Sequence, residues 1–585
     1  MAAESPQGRD QMKVTGDDVT RQGSSGGTAG PCGSGVGAHL AGLAAGGLLV
    51  LFLIVPICLA VGTAFSHEGA VSFYWFRRVF LNRLLMEELA NGILLAVTTT
   101  VCCLFIALPL AVIRARTRFA GQGVFGVLIL VPLILPPFVG ALAIRRLFGQ
   151  FGVVNLFLAQ LGLVDLEAGL PPDWLGSGFA GVVILQVLHL FPIMYLNATA
   201  ALANVDPAYA EASRNLGAGA VRTFWRITLP LIRPGLFAGG TIVFIWSLTD
   251  MGTPLIVGYD KLIPVTIFKD LARSDFTGRT YSLVFLMLTA SVLLYALGKF
   301  VFGRPVAAER TKAGVASEQR HLGSLATGGV WALFSVVIFA AVVPHIGVVL
   351  TAVADKWVGT VLPSGYTLRH LRFVVTSERT YRSILNSLKY AGTATALDVI
   401  LGGGIAWLVV RARIRGRNML DGLAMLPLAV PGIILAAGYV AMTVKGSPFE
   451  GIGPRANPFW ILVIAYTVRR LPFMVRGVTA GLQQVPESLE EASRNLGASR
   501  TRTVLKITVP LITANIVAAG ILTFAFAMLE VSDSLILAQV QSDYPITKQI
   551  YTLAASTGSP DTLNDAAALG VYGMLFLAVT MGIAT

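Results

Sequence analysis

The sequence predicts an all-α integral membrane protein with about twelve transmembrane helices in two parallel six-helix repeats. Three observations support this prediction. The mean hydropathy is +0.72 and only 13% of the residues are charged, which is typical of chains that lie largely in a bilayer. Apolar stretches of about 20 residues, the length that crosses a bilayer, recur along the chain. One polar stretch occurs twice, 280 residues apart.

The chain divides into a tail and two halves. Residues 1–38 are rich in Gly, Ser and charged residues, and they are predicted to form a disordered cytosolic tail rather than a cleavable signal peptide. The first half, 39–302, contains predicted spans near 40–65, 90–113, 124–146, 178–203, 235–258 and 281–302. A charged cytosolic linker is predicted at 303–323. The second half, 324–585, contains predicted spans near 326–353, 383–410, 419–443, 458–481, 514–539 and 566–585.

Matching landmarks relate the two halves. Pro132 and Pro136 recur as Pro427 and Pro431 at an offset of 295, and they are predicted to kink the helices that contain them. The first span of each half lies outside the repeating part. Because each half has an even number of spans, the halves are predicted to be parallel repeats.

The repeated polar stretch has the features of a short helix with a fixed end. It reads Glu211-Ala212-Ser213-Arg214-Asn215-Leu216-Gly217-Ala218 in the first half and Glu491-Ala492-Ser493-Arg494-Asn495-Leu496-Gly497-Ala498 in the second. Asp206-Pro207 precedes the first copy and Pro486 the second, and both are typical helix starts. Gly217 and Gly497 stand where a helix end takes positive φ. Each copy is therefore predicted to be a short cytosolic helix between two spans.

This stretch resembles the EAA loop of ABC importer permeases, which has Glu-Ala-Ala, a Gly a few residues later and then a Pro. Ser213 and Ser493 take the third position here, and Pro230 and Pro510 supply the later proline. The resemblance covers about 86–300 and 381–585 and implies the type I ABC importer permease fold. It also implies coupling helices that dock on an ATPase, and the residues that it assigns to docking are Glu211, Ala212, Ser213, Gly217, Glu491, Ala492, Ser493 and Gly497.

The net charge of +13 is attributed to loops that set membrane orientation, and not to binding of nucleic acid. Basic loops after the second and eighth spans mark the cytosolic face: Arg114, Arg116, Arg118, Arg411, Arg413, Arg415 and Arg417. Both termini are predicted on that face, although five arginines fall outside: Arg77, Arg78, Arg369, Arg372 and Arg382. The resemblance implies a bacterial inner-membrane location. It implies two ATPase subunits and an extracytoplasmic substrate-binding protein as partners.

Catalytic motifs are missing from the sequence. No Gly-x-x-x-x-Gly-Lys-Ser/Thr loop occurs, so the chain has no such loop to cradle ATP phosphates. No nucleophile–base constellation stands out, and the four cysteines lack metal-ligand spacing. We therefore predict a transport subunit, not an enzyme, with neither a cofactor nor a metal site.

Ionisable residues inside predicted spans are candidates for the transport pathway. Asp250 interrupts the fifth span, and Glu530 is its counterpart, with Asp533 nearby. These acids could instead lie at the outer interface, where the helices end. Arg469 and Arg470 lie in the middle of the tenth span and are expected to face water or acidic partners, for which Glu530 and Asp533 are candidates.

Several segments resemble fused, two-half permeases of the ferric-iron transport type: Asp250-Met251-Gly252-Thr253-Pro254, Glu530-Val531-Ser532-Asp533-Ser534-Leu535-Ile536-Leu537-Ala538, Arg470-Leu471-Pro472-Phe473 and Tyr544-Pro545-Ile546-Thr547. The resemblance implies import of ferric iron. Alternatives with the same architecture import 2-aminoethylphosphonate, thiamine, polyamines or sulfate. A remote alternative is a major-facilitator-like secondary transporter. Its signature loop carries an acidic residue, whereas the loop after the second span here is basic, and the repeated loops have no role in it.

Overall fold

The structure is a computed structural model, and it describes residues 36–166, 169–273, 277–302, 320–412, 414–556 and 560–584. Most of the predicted tail and linker therefore lie outside the described residues. Within the described part, nine helices are long and apolar enough to cross a membrane, or up to eleven when two sharply bent pairs are each one span. The one predicted span outside this count is the tenth, 458–481, which corresponds to a helix at Phe459–Gln484 that contains three arginines and so is less apolar than the others.

The first half is mostly helical, with breaks in its third and fifth predicted spans. Its helices are α1 (Val36–Leu49), α2 (Val55–Ala64), α3 (Tyr74–Leu81), α4 (Arg83–Arg116), α5 (Gln122–Leu128), α6 (Pro137–Phe148), α7 (Val153–Gln160), α8 (Gly178–Ala203), α9 (Pro207–Asn215), α10 (Ala220–Thr223), α11 (Leu229–Thr249), α12 (Gly252–Val257), α13 (Ile263–Ala272) and α14 (Gly278–Phe302). A π-helical turn, Val50–Ile54, joins α1 to α2, and another, Phe224–Thr228, joins α10 to α11.

The second half repeats this order. Its helices are α15 (Ser324–Val353), α16 (Arg369–Thr376), α17 (Glu378–Trp407), α18 (Arg417–Met425), α19 (Gly432–Met442), α20 (Phe459–Gln484), α21 (Glu487–Asn495), α22 (Arg500–Thr503), α23 (Val509–Leu511), α24 (Thr513–Met528), α25 (Ser532–Leu537), α26 (Ile546–Ala555) and α27 (Pro560–Ala584). π-Helical turns follow α17 and α22, at Leu408–Ala412 and Val504–Thr508.

Two short strand pairs complete the described secondary structure. Strands β1 (Ser66–His67) and β2 (Ala70–Val71) pair antiparallel in the turn after α2. Strand β3 (Thr117–Arg118) follows α4 and pairs in parallel with β4 (Arg320–His321), which precedes α15. The second pair therefore joins the end of the predicted linker to the end of a first-half span.

The repeated prolines break their spans instead of bending them gently. The third predicted span, 124–146, is not one kinked helix but two helices, α5 and α6. Residues Val131–Ile134 form a 3₁₀ turn, and α6 begins only after Pro136. In the second half, α18 and α19 meet at an angle of 103° across Pro431. A proline lacks the backbone N–H of a helix and disfavours helical backbone in the residue before it, so the break falls at the same place in both halves.

The two halves exchange their first spans. Helix α2 packs against α19 of the second half, and α15 packs against α6 of the first half. The indole of Trp331 on α15 also donates to the backbone oxygen of Ala120, 2.9 Å away. One buried apolar core continues through both halves as a result. The halves are therefore interlocked in a single helical body.

Candidate functional site: two repeated loops and a charged cavity

Both predicted short helices are present. Helix α9 begins at Pro207, and the carboxylate of Asp206 accepts a hydrogen bond of 2.9 Å from the backbone N–H of Ala208. Helix α21 begins at Glu487, and Pro486 precedes it without a side-chain cap. The two helix starts therefore differ, because Pro486 stands at the position that Asp206 occupies in the first copy.

The two helices end in the same way. Gly217 has φ of +79° and Gly497 has φ of +85°, as predicted. The N–H of Gly217 donates to the carbonyl of Arg214, and the N–H of Ala218 donates to that of Ser213. The second copy has the same two bonds, so both ends are Schellman motifs. No other atom lies within 4 Å of a Cβ built on either glycine, so only the backbone conformation requires glycine.

The serines at the third motif position have a structural role. The hydroxyl of Ser213 lies 2.8 Å from that of Thr223, and the hydroxyl of Ser493 lies 3.0 Å from that of Thr503. Each bond ties the short helix to the helix that follows it. An alanine in this position could not form the bond.

The exposed faces of the two loops are similar. Leu216 is 88% exposed and Leu496 is 89% exposed. Trp225 and Leu505 occupy matching positions further along and are more than half exposed. The remaining predicted docking residues on these helices are exposed as well: Glu211, Ala212, Glu491 and Ala492. Both loops thus present apolar side chains beside acidic ones.

Both predicted helix interruptions are also present. Helix α11 ends at Thr249, and α12 begins two residues after Asp250. The carboxylate of Asp250 accepts bonds of 3.0 and 3.3 Å from the N–H groups of Gly252 and Thr253, and another of 3.2 Å from Gln186. Asp250 therefore caps the start of α12. In the second half α24 ends at Met528, and α25 follows Glu530 in the same way.

The four other pathway candidates form one cluster. Arg470 is hydrogen-bonded to Glu530, as the sequence suggested. The guanidinium of Arg469 lies 3.3 Å from Glu530 and 3.6 Å from Asp533. Glu530 is 3% exposed and Asp533 is fully buried, so their charges are compensated by arginine and not by water.

Glycine at position 432 makes this cluster possible. Gly432 is the first residue of α19, and a Cβ built there would lie 1.3 Å from Nη1 of Arg469. The guanidinium therefore occupies the space that any other side chain would fill. This contact could not be predicted from the sequence, because no local pattern relates a residue on α19 to one on α20.

A cavity of about 180 Å³ lies between the two halves at this level. Both arginines, Glu530 and Asp250 line it, together with His189, which is the counterpart of Arg469. Asp533 is not among the lining residues and lies behind the cluster. The cavity thus joins the two helix interruptions. Among the described residues, no group of three or more His, Cys, Asp or Glu side chains is placed to hold a metal ion.

One buried acid on α17 was not singled out from the sequence. Asp398 is fully buried, and neither of its carboxylate oxygens has a hydrogen-bond partner among the residues that the structure describes. An acid in the middle of an apolar span was the signal that could have found it.

Comparison with known proteins supports the two-half architecture. A family model described as "Binding-protein-dependent transport system inner membrane component" matches residues 107–305 and 399–585, one segment in each half. A putative ferric transport system permease protein, FbpB 1 of Haemophilus influenzae, is 29% identical and covers 83% of this chain and 76% of its own length. The ferric transport system permease protein FbpB of Actinobacillus pleuropneumoniae is also 29% identical, and covers 83% and 69%. A putative 2-aminoethylphosphonate transport system permease protein, PhnU of Salmonella typhimurium, is 27% identical and covers 45% of this chain and 91% of its own length.

Proposed function

The chain belongs to the family of binding-protein-dependent transport system inner membrane components, and we propose that it carries ferric iron through the cavity between its halves. It is the permease subunit of an ABC importer. The observation that carries the proposed coupling mechanism is the repeated loop. Helices α9 and α21 share their glycine ending, their serine–threonine bond and their exposed leucine. One chain therefore presents two matching docking helices.

Each loop is proposed to bind one subunit of a separate ATPase on the cytosolic face. The exposed leucine would enter an apolar groove on that subunit, and Glu211 or Glu491 would pair with a basic residue at its rim. An extracytoplasmic binding protein would deliver the substrate at the opposite face. We propose that both chain termini lie in the cytosol and that the chain lies in the bacterial inner membrane.

Iron is favoured over 2-aminoethylphosphonate by the extent of the similarity. The two relatives named for ferric transport each match 83% of this chain, whereas the relative named for 2-aminoethylphosphonate matches 45%. The proposal is tested by uptake into vesicles that contain the chain, its ATPase and its binding protein. Saturable uptake of iron that requires ATP is expected. Uptake of 2-aminoethylphosphonate without uptake of iron would overturn the choice of substrate.

The coupling role is tested at the two glycines. Valine cannot easily adopt the φ of Gly217 or Gly497, and the local strain is about 1–2 kcal/mol. The double variant Gly217→Val, Gly497→Val is expected to abolish uptake and ATPase co-purification while the chain remains inserted. Gly219→Val is the matched control, because Gly219 lies on the same loop with φ of −66° and has equally open surroundings. Normal uptake by the double variant would show that these loops do not couple.

A further inference from the structure

The second loop is fixed to the helical bundle by one arginine. Arg411 lies in the π-helical turn Leu408–Ala412 that ends the α17 span. Its Nε lies 3.0 Å from the carboxylate of Glu490 on α21, and its Nη2 donates to the backbone oxygens of Leu482 and Val485 at 2.8 and 2.6 Å. The hydroxyl of Thr508 donates to the same carboxylate at 3.0 Å. Arg411 and Glu490 thus join α17, the end of α20, α21 and the start of the next span.

The first loop lacks this anchor. Arg116 is the counterpart of Arg411, but Ala210 stands where α21 has Glu490. Among the described residues, the side chain of Arg116 makes one hydrogen bond, of 2.6 Å to the hydroxyl of Thr228, and no ion pair. Helix α4 also remains α-helical as far as Arg116, without a π-helical turn. The two halves therefore differ at the joint between span and loop.

The difference matters because the second anchor is shielded from water. The side chain of Arg411 is 7% exposed and that of Glu490 is 12% exposed. Hydrogen bonds between charged groups are stronger than neutral ones, and a buried ion pair is only weakly screened by salt. The bond from Arg116 to Thr228 reaches the segment after the loop, and among the described residues no ion pair joins α9 to α4. Helix α9 can therefore shift against its span without breaking an ion pair.

We propose that Arg411 and Glu490 are positioning residues that hold α21 rigidly on the second half, while α9 moves more freely on the first. The proposal rests on the proposed function, because it concerns how the two docking helices pass on the movement of the ATPase. In this arrangement a movement of the ATPase is transmitted directly to α17 through the second loop. Through the first loop, part of the ATPase movement is lost because α9 shifts against α4.

Matched spin-label pairs test the proposal on the isolated permease. Leu216 with Val124, and Leu496 with Met419, are corresponding positions in the two halves, and all four side chains are exposed. In a chain whose four cysteines have been replaced, each pair reports how far its loop moves against the neighbouring helix. The distance distribution of the first pair is expected to be wider than that of the second, because no ion pair among the described residues holds α9.

One substitution weakens the ion pair in the second loop, and another introduces one in the first loop. Glu490→Gln keeps the shape of the side chain but removes its charge, and it is expected to widen the second distribution. The second distribution should stay narrower than the first, because Glu487 on α21 remains 3.4 Å from Nη1 of Arg411. Ala210→Glu supplies the missing carboxylate beside Arg116 and is expected to narrow the first distribution. Equal widths in the unsubstituted chain, or no widening in Glu490→Gln, would overturn the proposal. If Ala210→Glu fails to fold, the Glu490→Gln comparison still decides.

A transport readout separates positioning from simple stability. With the ATPase and binding protein present, Glu490→Gln is expected to lower the substrate imported per ATP hydrolysed about tenfold, the loss typical of one charged hydrogen bond. Glu490→Asp keeps the charge and is expected to restore part of the ratio. An unchanged ratio in Glu490→Gln would contradict a positioning role. Because the label distances are measured without the ATPase, a failure of the proposed ATPase partnership does not affect them.

Discussion

Replacing Gly432 with alanine tests whether the cavity cluster depends on this glycine. The new methyl group would overlap the guanidinium of Arg469, since a Cβ at this position lies 1.3 Å from Nη1 and 2.4 Å from Cζ. The backbone does not have to move, because the guanidinium is the end of a flexible side chain. It is therefore displaced from Glu530 and Asp533, which it now approaches to 3.3 and 3.6 Å.

The expected cost is that of weakening a buried ion pair. Separating one partner from such a pair costs about 3–5 kcal/mol, because the other charge stays buried without compensation. Arg470 continues to bind Glu530, so the loss falls mainly on Asp533, and the lower end of this range is expected. If the clash with Arg469 is the cause, alanine at 432 should cost almost nothing once Arg469 has been replaced by histidine. Histidine is the residue at the corresponding position, His189, in the first half.

The assay is the thermal unfolding of the purified chain in detergent for Gly432→Ala, Arg469→His and the double variant. We expect Gly432→Ala to lower the melting temperature and the double variant to match Arg469→His. Gly422→Ala on the neighbouring α18 is the control, because nothing lies within 4 Å of its new methyl group and alanine favours helix. If the double variant lowers the melting temperature by the sum of the two single effects, the reasoning is refuted.

Two further predictions concern buried charge and topology. Asp398→Leu is expected to raise the melting temperature. A buried carboxylate without a hydrogen-bond partner among the described residues is costly, and leucine has a similar size. A lower melting temperature would show that the acid has a partner. Single cysteines at Ala218 and Ala498 should react with an impermeant thiol reagent only from the cytosolic side, and one at Arg369 only from outside. Reaction of the two loop cysteines from opposite sides would contradict the parallel repeat.

The sequence predicted the features that local rules determine. Proline and glycine have restricted or unusual backbone conformations, so Pro136 and Pro431 located the breaks, and Gly217 and Gly497 located the helix ends. The internal repeat strengthened each of these predictions, because a coincidence of local signals at two corresponding places is improbable. Counting charges in spans also identified Arg470 and Glu530, which do bind each other.

Contacts between distant segments could not be predicted in the same way. Pro132 and Pro136 predict a kink in the third span, but a hydropathy pattern does not show how sharply a proline breaks a helix. Gly432 carries no chemical signal of its own, and its importance comes only from the guanidinium that lies over it. The sequence marks Arg411 only as a residue of the cytosolic face. Its bonds to Glu490 could not be predicted, because they depend on how α17 and α21 meet.

The departures from symmetry point to the same half of the molecule. At the cavity, the second half supplies Arg470 and Asp533, where the first half has Leu190 and Thr253. At the loops, the second half has an ion pair that α9 lacks. Charged contacts hold a fixed geometry, whereas apolar contacts allow helices to slide. We therefore infer that the second half has the more rigid connections, both at the cavity and at its loop. The first half is consequently the part that we expect to move when the cavity changes the side to which it opens.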